Sequence, residues 1–394
     1  MSGTSFLASS ATLEAEWSFL LAACSELPRQ EKTDRLRQLA REPLRWKVLF
    51  DLADRQGTRP LLYQALVDLQ GALPTEEMSA LQQSYQTNLH KALFLSRALI
   101  RIVDRLSAAG IEVMPYKGLA LAELAYGDIA LRQSGDIDLL IHPRDFPRIR
   151  DAVRQLGYTP HLSLSPAEER AYLQSGYECA FDGAAGPNLL EVQWAIQPRF
   201  YAIDFDMEGL FRRAAAITVA GHAMKTPSSE DLLLILSAHA AKHEWARLVW
   251  LCDIARIISL PTLNWSWIGS EARALGIVRI VRVSMLLANR LLGTTIPPAS
   301  LPEASLREDR ATLPLVDEIQ SHIASEATFN VESFAYFHFM MRLRERSADR
   351  LRFLQRLVFT PGPGEWQAVR LPPPLFPLYR LVRLSRLAAR LVRS

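Results

Sequence analysis

Cysteine is scarce in this sequence. The 394 residues include three cysteines, Cys24, Cys179 and Cys252, which lie far apart in the chain. An odd count without a Cys-X-X-Cys pair excludes both a disulfide framework within one chain and a cysteine-based metal site. We therefore expect buried, unreactive thiols and a protein of the reducing cytoplasm.

Long hydrophobic runs are also missing. The longest apolar stretch, residues 232–241, is interrupted by His239 and is shorter than the roughly 20 residues that a membrane span requires. The first residues lack a basic segment and are soon followed by Glu14 and Glu16, which argues against a secretory signal. We expect a cytoplasmic protein without a transmembrane segment.

Neither glycine nor proline is enriched. The chain has 18 Gly and 23 Pro, and 49% of its residues are hydrophobic, which excludes collagen-like, low-complexity and wholly disordered proteins. At roughly 150 residues per domain, the length predicts two to three domains, each able to bury a core of its own.

Lysine is absent from the C-terminal region. Residues 341–394 contain twelve arginines and no lysine against three acids, although the net charge of the whole chain is only +3. Such a separation of charge suggests an anionic partner for the arginine-rich end.

The hydrophobic period changes twice along the chain. Apolar residues recur every three to four positions over residues 12–110 and again from residue 228 onward, which predicts helices. Between these regions, short β-rich segments are separated by helical and turn-rich stretches. The expected strands are 111–116, 137–141, 177–181 and 189–196, with turns at 182–183 and 186–188.

This pattern predicts an α+β, mostly helical fold with a small α/β core between two helical regions. The expected divisions are an N-terminal helical region at 1–109, the core at 110–227, a C-terminal helical domain at 228–359, and a Pro/Gly break followed by a basic tail at 360–394.

The segment Gly135-Asp136-Ile137-Asp138 carries the clearest chemical signal. On a strand, alternate side chains share a face, so Asp136 and Asp138 form a pair of carboxylates while the residues between them pack on the other side. Paired carboxylates repel each other unless divalent cations neutralise them, as in two-metal nucleotidyl transfer. Glu191, on a later strand, is a candidate third acid.

These motifs together resemble a large bacterial family of mostly uncharacterised nucleotidyltransferases in the polymerase-β-like superfamily. The resemblance covers roughly residues 40–390. Its elements in this chain are Lys117-Gly118, Arg132, Gly135 to Leu140, Glu191-Val192-Gln193-Trp194, and a helix with His239, Lys242, His243, Trp245, Trp250 and Asp253.

The resemblance implies a polymerase-β-like core and a division of roles in the site. Asp136, Asp138 and Glu191 would hold two Mg²⁺ ions, and a nucleoside triphosphate would be the donor. The residues expected to contact that nucleotide are Lys117, Gly118, Arg132, Ser134, Gly135, His239, Lys242 and His243. Lys117 and Arg132 would neutralise phosphate charge, whereas we expect Trp245 and Trp250 to be core residues.

Two positions depart from the family pattern. The usual Gly-Ser or Gly-Gly of the phosphate loop is Gly118-Leu119 here, and the strand expected to read acid-X-His-Trp carries Gln193 in place of histidine. Both departures could affect catalytic activity. The loop shapes the phosphate-binding site, and the histidine would lie beside the third acid.

The last helix is expected to be amphipathic. Its leucines, Leu381, Leu384, Leu387 and Leu391, fall on one arc, and Arg383, Arg386, Arg390 and Arg393 fall on the opposite arc. A docking helix with a solvated arginine face is one interpretation. Binding of an acidic peptide, a nucleic acid or an anionic membrane surface is the other.

Two classes of function therefore remain open. The first is an enzyme that transfers a nucleotidyl or related phosphate-linked group to a peptide, protein or small-molecule acceptor, including a tailoring role on lasso peptides or exopolysaccharides that rests on association alone. The second is a catalytically degenerate module that binds a nucleotide or a partner. The paired acids favour the enzyme.

Overall fold

The structure, a computed structural model, describes residues 14–67, 69, 75–183, 189–298, 300, 309–325 and 333–393. Helices make up 64% of it, and the remainder includes a small mixed sheet. The predicted α+β, mostly helical fold is thus confirmed. The predicted turn at 186–188 lies outside the described residues.

The N-terminal part is helical, as its apolar period predicts. Its helices are α1 (Glu14–Cys24), α2 (Arg29–Leu39), α3 (Trp46–Arg55), α4 (Arg59–Val67) and the long α5 (Thr75–Ala108). Leu95, Leu99, Ile102 and Leu106 place one buried stripe along α5, and this stripe packs under the sheet.

The central part contains the five-stranded sheet. Its strands are β1 (Val113–Pro115), β2 (Asp136–Ile141), β3 (Thr159–Pro160), β4 (Glu178–Asp182) and β5 (Leu189–Gln193), arranged in the order β1-β2-β5-β4-β3. Strands β2 and β5 are parallel, and the other neighbours are antiparallel. The helices between them are α6 (Gly118–Tyr126), α7 (Phe146–Gln155) and α8 (Pro166–Ser175).

Two elements of this part were not expected from the sequence. Helix α8 begins with a capping box, in which Ser165 and Glu168 exchange hydrogen bonds. After α9 (Met207–Arg212), a hairpin forms from β6 (Ala215–Val219) and β7 (His222–Thr226). The sequence patterns predict no element for residues 197–227.

The C-terminal part is helical again. Its helices are α10 (Ser229–Lys242), α11 (Leu248–Ile258), α12 (Trp265–Leu275), α13 (Val278–Leu292), α14 (Thr312–Ser325), α15 (Phe334–Arg342), α16 (Ser347–Phe359), α17 (Pro363–Ala368) and α18 (Tyr379–Arg393). None of the helices in the described ranges is both long and apolar enough to cross a membrane.

The two helical regions share one hydrophobic core. Phe19 and Leu20 of α1 belong to the same buried cluster as Leu232 to Leu236 of α10 and residues of α13. The sheet face that carries Ile137, Leu139 and Val192 packs in a second cluster against α5 and α7. The opposite sheet face is therefore left to line a cavity, and it is the face with the acids.

A candidate nucleotidyl transfer site

Strand register brings the predicted acids together. Asp138 of β2 lies directly opposite Glu191 of β5, and Asp136 shares their face because it is two residues from Asp138. At the other edge of β5, Gln193 lies directly opposite Glu178 of β4, on the same face of the sheet. Four carboxylates thus stand on one face of three neighbouring strands.

Helix α6 begins beside this acidic face. Gly118 has a φ of +52°, and a Cβ at this position would lie 3.3 Å from the carbonyl oxygen of Asp136. Only glycine combines this backbone conformation with such a close approach. The first N–H groups of α6 lack partners within the helix. In other proteins, such N–H groups at a helix N-terminus bind phosphate.

The departure at Leu119 does not obstruct this cradle. The side chain of Leu119 is buried and packs in the hydrophobic cluster beneath the sheet. A large residue after the glycine therefore contributes to the core and leaves the backbone N–H groups accessible from the cavity.

Lys117 is paired with an acid of the site. Its Nζ lies 3.1 Å from Oδ1 of Asp138, and both side chains are buried. Burial alone would lower the pKa of Lys117, but the Asp138 carboxylate and the neighbouring Tyr116 raise it above its usual range. The ammonium is therefore charged at neutral pH, and Asp138 balances it.

Gln193 takes the place of the expected histidine and contacts the acids directly. Its Nε2 lies 2.9 Å from Glu191, 3.2 Å from Asp138 and 3.3 Å from Glu178, and its Oε1 accepts a hydrogen bond from the hydroxyl of Tyr116. An amide donor among three carboxylates reduces their repulsion without carrying charge itself.

Arg132 forms an ion pair that the sequence did not predict. Its guanidinium donates to both carboxylate oxygens of Asp253 at 2.9–3.1 Å, and Tyr126 donates to the same carboxylate at 2.8 Å. Asp253 is fully buried. This pair ties the loop before β2 to α11, so much of the charge of Arg132 is already balanced by Asp253.

Ser134 has an unsatisfied hydroxyl. Its Oγ is buried and has no hydrogen-bond partner within the described part of the chain. The hydroxyl lies near Gly118, 3.7 Å from where a Cβ of that residue would stand. A buried polar atom without a partner is costly unless a ligand completes it.

Helix α10 forms the opposite wall. His239 and His243 lie one turn apart with ring centroids 4.9 Å from each other, and Trp250 stands against both. Burial and neighbouring cations lower the pKa of His243 to about 3 and that of His239 well below its usual value. Both imidazoles are neutral at pH 7, so they offer flat polar surfaces rather than charge.

Trp245 and Trp250 differ in position. Trp245 is a core residue, as expected, and its Nε1 donates to the hydroxyl of Ser284. Trp250 is half-buried, packs against that core and also lines the cavity. The three cysteines are buried, as expected.

All eleven residues predicted for the site line one cavity of about 590 Å³. These are Lys117, Gly118, Arg132, Ser134, Gly135, Asp136, Asp138, Glu191, His239, Lys242 and His243. The cavity is also lined by Lys91, Tyr177, Glu178 and Arg247, which the sequence patterns did not predict. A signal for Glu178 existed, since it precedes Cys179 and Phe181 in an alternating strand pattern.

The donor chemistry of the cavity suits a hard divalent cation, because carboxylate oxygens are the ligands that Mg²⁺ prefers. In the arrangement seen, however, no three His, Cys, Asp or Glu side chains of the described residues form a group that could hold a metal. One oxygen of Asp138 is engaged by Lys117 and Gln193. Both contacts are to Oδ1, so Lys117 and Gln193 compete with a cation for that oxygen.

Glu191 has a strongly raised pKa. Burial, with the nearby charges of Asp138 and Glu178, raises the pKa of Glu191 to about 7 from its usual 4.5. The native state thus keeps this proton at a pH where the unfolded chain has released it. The free energy of unfolding consequently falls as the pH rises from about 4.5 to about 7.

We expect Glu191→Gln to stabilise the protein most above pH 7 and to have little effect near pH 5. Gln mimics the protonated carboxyl, so it removes the repulsion that develops when Glu191 ionises. The measurement is the melting temperature of both proteins between pH 5 and 8 without divalent cations. A pH-independent difference would contradict the assignment of the raised pKa to Glu191.

Comparison with known proteins identifies the family of this chain. A family model described as an uncharacterised nucleotidyltransferase matches residues 42–293, more than half of the chain. The chain therefore belongs to this nucleotidyltransferase family. A search of curated proteins gives no match.

Two solved structures are similar to this chain over about half of its length. The antibiotic-resistance factor ANT(2'')-Ia is 15% identical with a TM-score of 0.27, covering 58% of this chain and 97% of its own. An antigenic nucleotidyltransferase-like protein from Paracoccidioides brasiliensis is 14% identical with a TM-score of 0.34, covering 52% of this chain and 96% of its own.

Proposed function

We propose that the chain is a Mg²⁺-dependent enzyme that transfers a nucleotidyl group from a nucleoside triphosphate to a peptide, protein or small-molecule acceptor. The observation that carries this proposal is the placement of Asp136 and Asp138 next to the N-terminus of α6 in one cavity. A metal-binding pair and a phosphate cradle are the two parts that such a transfer needs.

The residues of the chain have distinct roles in this proposal. Asp136, Asp138 and Glu191 would hold Mg²⁺, which when bound neutralises triphosphate charge and lowers the pKa of an attacking hydroxyl. The N–H groups of α6 and the hydroxyl of Ser134 donate hydrogen bonds to phosphate oxygens. Positioning and fixed charge of this kind supply most of the rate enhancement in phosphoryl transfer.

The α10 wall is proposed to hold the nucleoside part of the donor. His239, His243 and Trp250 present neutral ring surfaces to the cavity, and ring stacking on a base is tolerant of sequence because every base has a π face. Lys242, which lies over the ring of Tyr177 at 5.6 Å, provides positive charge on the same wall.

A titration with each of the four nucleoside triphosphates, with and without Mg²⁺, tests this function. We expect one of them to raise the melting temperature only when Mg²⁺ is present, and this shift to be lost in Asp136→Asn. The nucleotide identified in this way is then used in an acceptor screen with release of pyrophosphate as the readout. An equal shift in Asp136→Asn would contradict the proposed metal-binding pair.

A degenerate nucleotide-binding module is the second candidate. The contacts of Asp138 with Lys117 and Gln193 favour it, because these two side chains satisfy a carboxylate that a metal would otherwise use. This candidate predicts nucleotide binding that does not depend on Mg²⁺ and no pyrophosphate release with any acceptor. The same titration therefore separates the two functions.

A further inference from the structure

Exposed apolar side chains are concentrated near the C-terminus. Of thirteen large hydrophobic residues that are exposed in the described ranges, eight fall within residues 351–384. Soluble monomers expose single apolar residues widely but seldom collect them in one segment, unless that segment binds something. The eight are Leu351, Leu354, Phe359, Val369, Leu375, Leu378, Leu381 and Leu384.

Helix α18 exposes leucine side chains to solvent and buries an arginine. A docking helix with a solvated arginine face would show the reverse. Leu381 and Leu384 are 58% and 37% exposed, whereas Arg383 is buried. The guanidinium of Arg383 donates to the carbonyl of Leu357 at 3.1 Å and lies 5.4 Å from the ring of Phe200. The side chains of Arg390, Leu391 and Arg393 lie outside the described part of the structure.

The exposed leucines form a continuous stripe. Leu375 and Leu378 lie in the short 3₁₀ helix Pro373–Leu378, which runs directly into α18. With Leu381 and Leu384 they recur every third residue, so they follow one side of this segment. Leu351, Leu354 and Phe359 are likewise exposed on α16, which packs against α18.

The charge around this stripe is one-sided. The acids of the region are turned inward, since Asp349 and Glu365 are buried and paired with Arg346 and Arg386. Arg370 and Arg380, in contrast, are exposed, as is Arg352, which lies 3.9 Å from Asp349. The surface therefore combines leucine side chains with exposed positive charge.

We infer that this C-terminal surface, the Leu375–Leu384 stripe with its flanking arginines, docks on the surface of an anionic lipid bilayer. Apolar side chains enter the interface between headgroups and acyl chains, and arginines contact anionic headgroups. A nucleic acid would use the arginines and gain little from exposed leucines. Burial of Arg383 with exposure of Leu381 and Leu384 therefore favours the membrane.

Vesicle sedimentation of the full chain tests this inference. We expect binding to phosphatidylcholine vesicles that contain phosphatidylserine, weak binding to phosphatidylcholine alone, and a loss of about tenfold or more in Leu381→Glu/Leu384→Glu. Both leucines are exposed, so the variant should keep the melting temperature of the parent. Leu313→Glu, at an exposed leucine of α14, is the matched control and should bind normally.

Three results would overturn the inference. The first is equal vesicle binding by the parent and Leu381→Glu/Leu384→Glu, and the second is no binding to anionic vesicles by the parent. The third is a dimer in light scattering that the double variant dissociates while vesicle binding is absent, which would assign the stripe to a second copy of the chain.

Discussion

Asp136→Asn is expected to lower the rate of nucleotidyl transfer by about a thousandfold without destabilising the protein. Asp136 has no hydrogen-bond or ion-pair partner among the described residues. Burial and the adjacent Asp138 raise its pKa, so its negative charge opposes folding. In the proposed mechanism, that charge binds a cation. The melting temperature should stay the same or rise slightly while activity is lost.

Asp138→Asn is the matched comparison for this variant. It also removes a carboxylate from the proposed metal-binding pair, but it leaves the buried ammonium of Lys117 without its partner. We expect loss of activity together with a lower melting temperature. Activity and melting temperature, measured for both variants, separate the catalytic from the structural contribution. Activity of Asp136→Asn within tenfold of the parent would remove Asp136 from the proposed mechanism.

Asp253→Asn is expected to destabilise the protein by about 3–5 kcal/mol. Its carboxylate accepts three hydrogen-bonded contacts from Arg132 and one from Tyr126, and both members of the ion pair are buried. The substitution leaves the buried guanidinium charged and without its carboxylate partner, because burial does not deprotonate arginine. Chemical denaturation, with the free energy of unfolding as the readout, measures the effect.

A surface pair provides the control for Asp253→Asn. Lys47 and Asp51 are 2.7 Å apart and largely exposed, so Asp51→Asn should change the free energy of unfolding by less than about 1 kcal/mol. Arg132→Met/Asp253→Leu removes both charges and should recover much of the stability lost in Asp253→Asn. A double variant no more stable than the single one would show that the cost does not come from the unpaired arginine.

The sequence located the strands and acids of the site well, because these follow from local patterns. The alternation in Asp136 to Ile141 predicts a strand with its carboxylates on one face, and the observed register supports that face. The alternation in β4 places Glu178 on its more polar face, but nothing local to Glu178 indicates that β4 lies beside β5. The β6–β7 hairpin was missed as well, because exposed Ala216 and Ala223 and buried Thr226 weaken the hydrophobic alternation along its strands.

Local patterns also could not assign partners to the charges. Lys117 and Arg132 were expected to face phosphate, yet each is paired with a carboxylate, Asp138 and Asp253 respectively. Arg132 and Asp253 are 121 residues apart, and no periodicity encodes such a contact. The penalty for burying an unpaired charge decides these pairs once the helices have packed.

The amino-acid sequence by itself determined the element types, the acidic face of β2 and the nucleotidyltransferase family, because these depend on residue order over short distances. The tertiary structure decided which charges neutralise each other and which face of α18 is exposed. An amphipathic pattern defines two faces but not which one the protein buries. Arg383 is buried because Phe200 and the carbonyl of Leu357 lie beside it, and this leaves Leu381 and Leu384 in solvent.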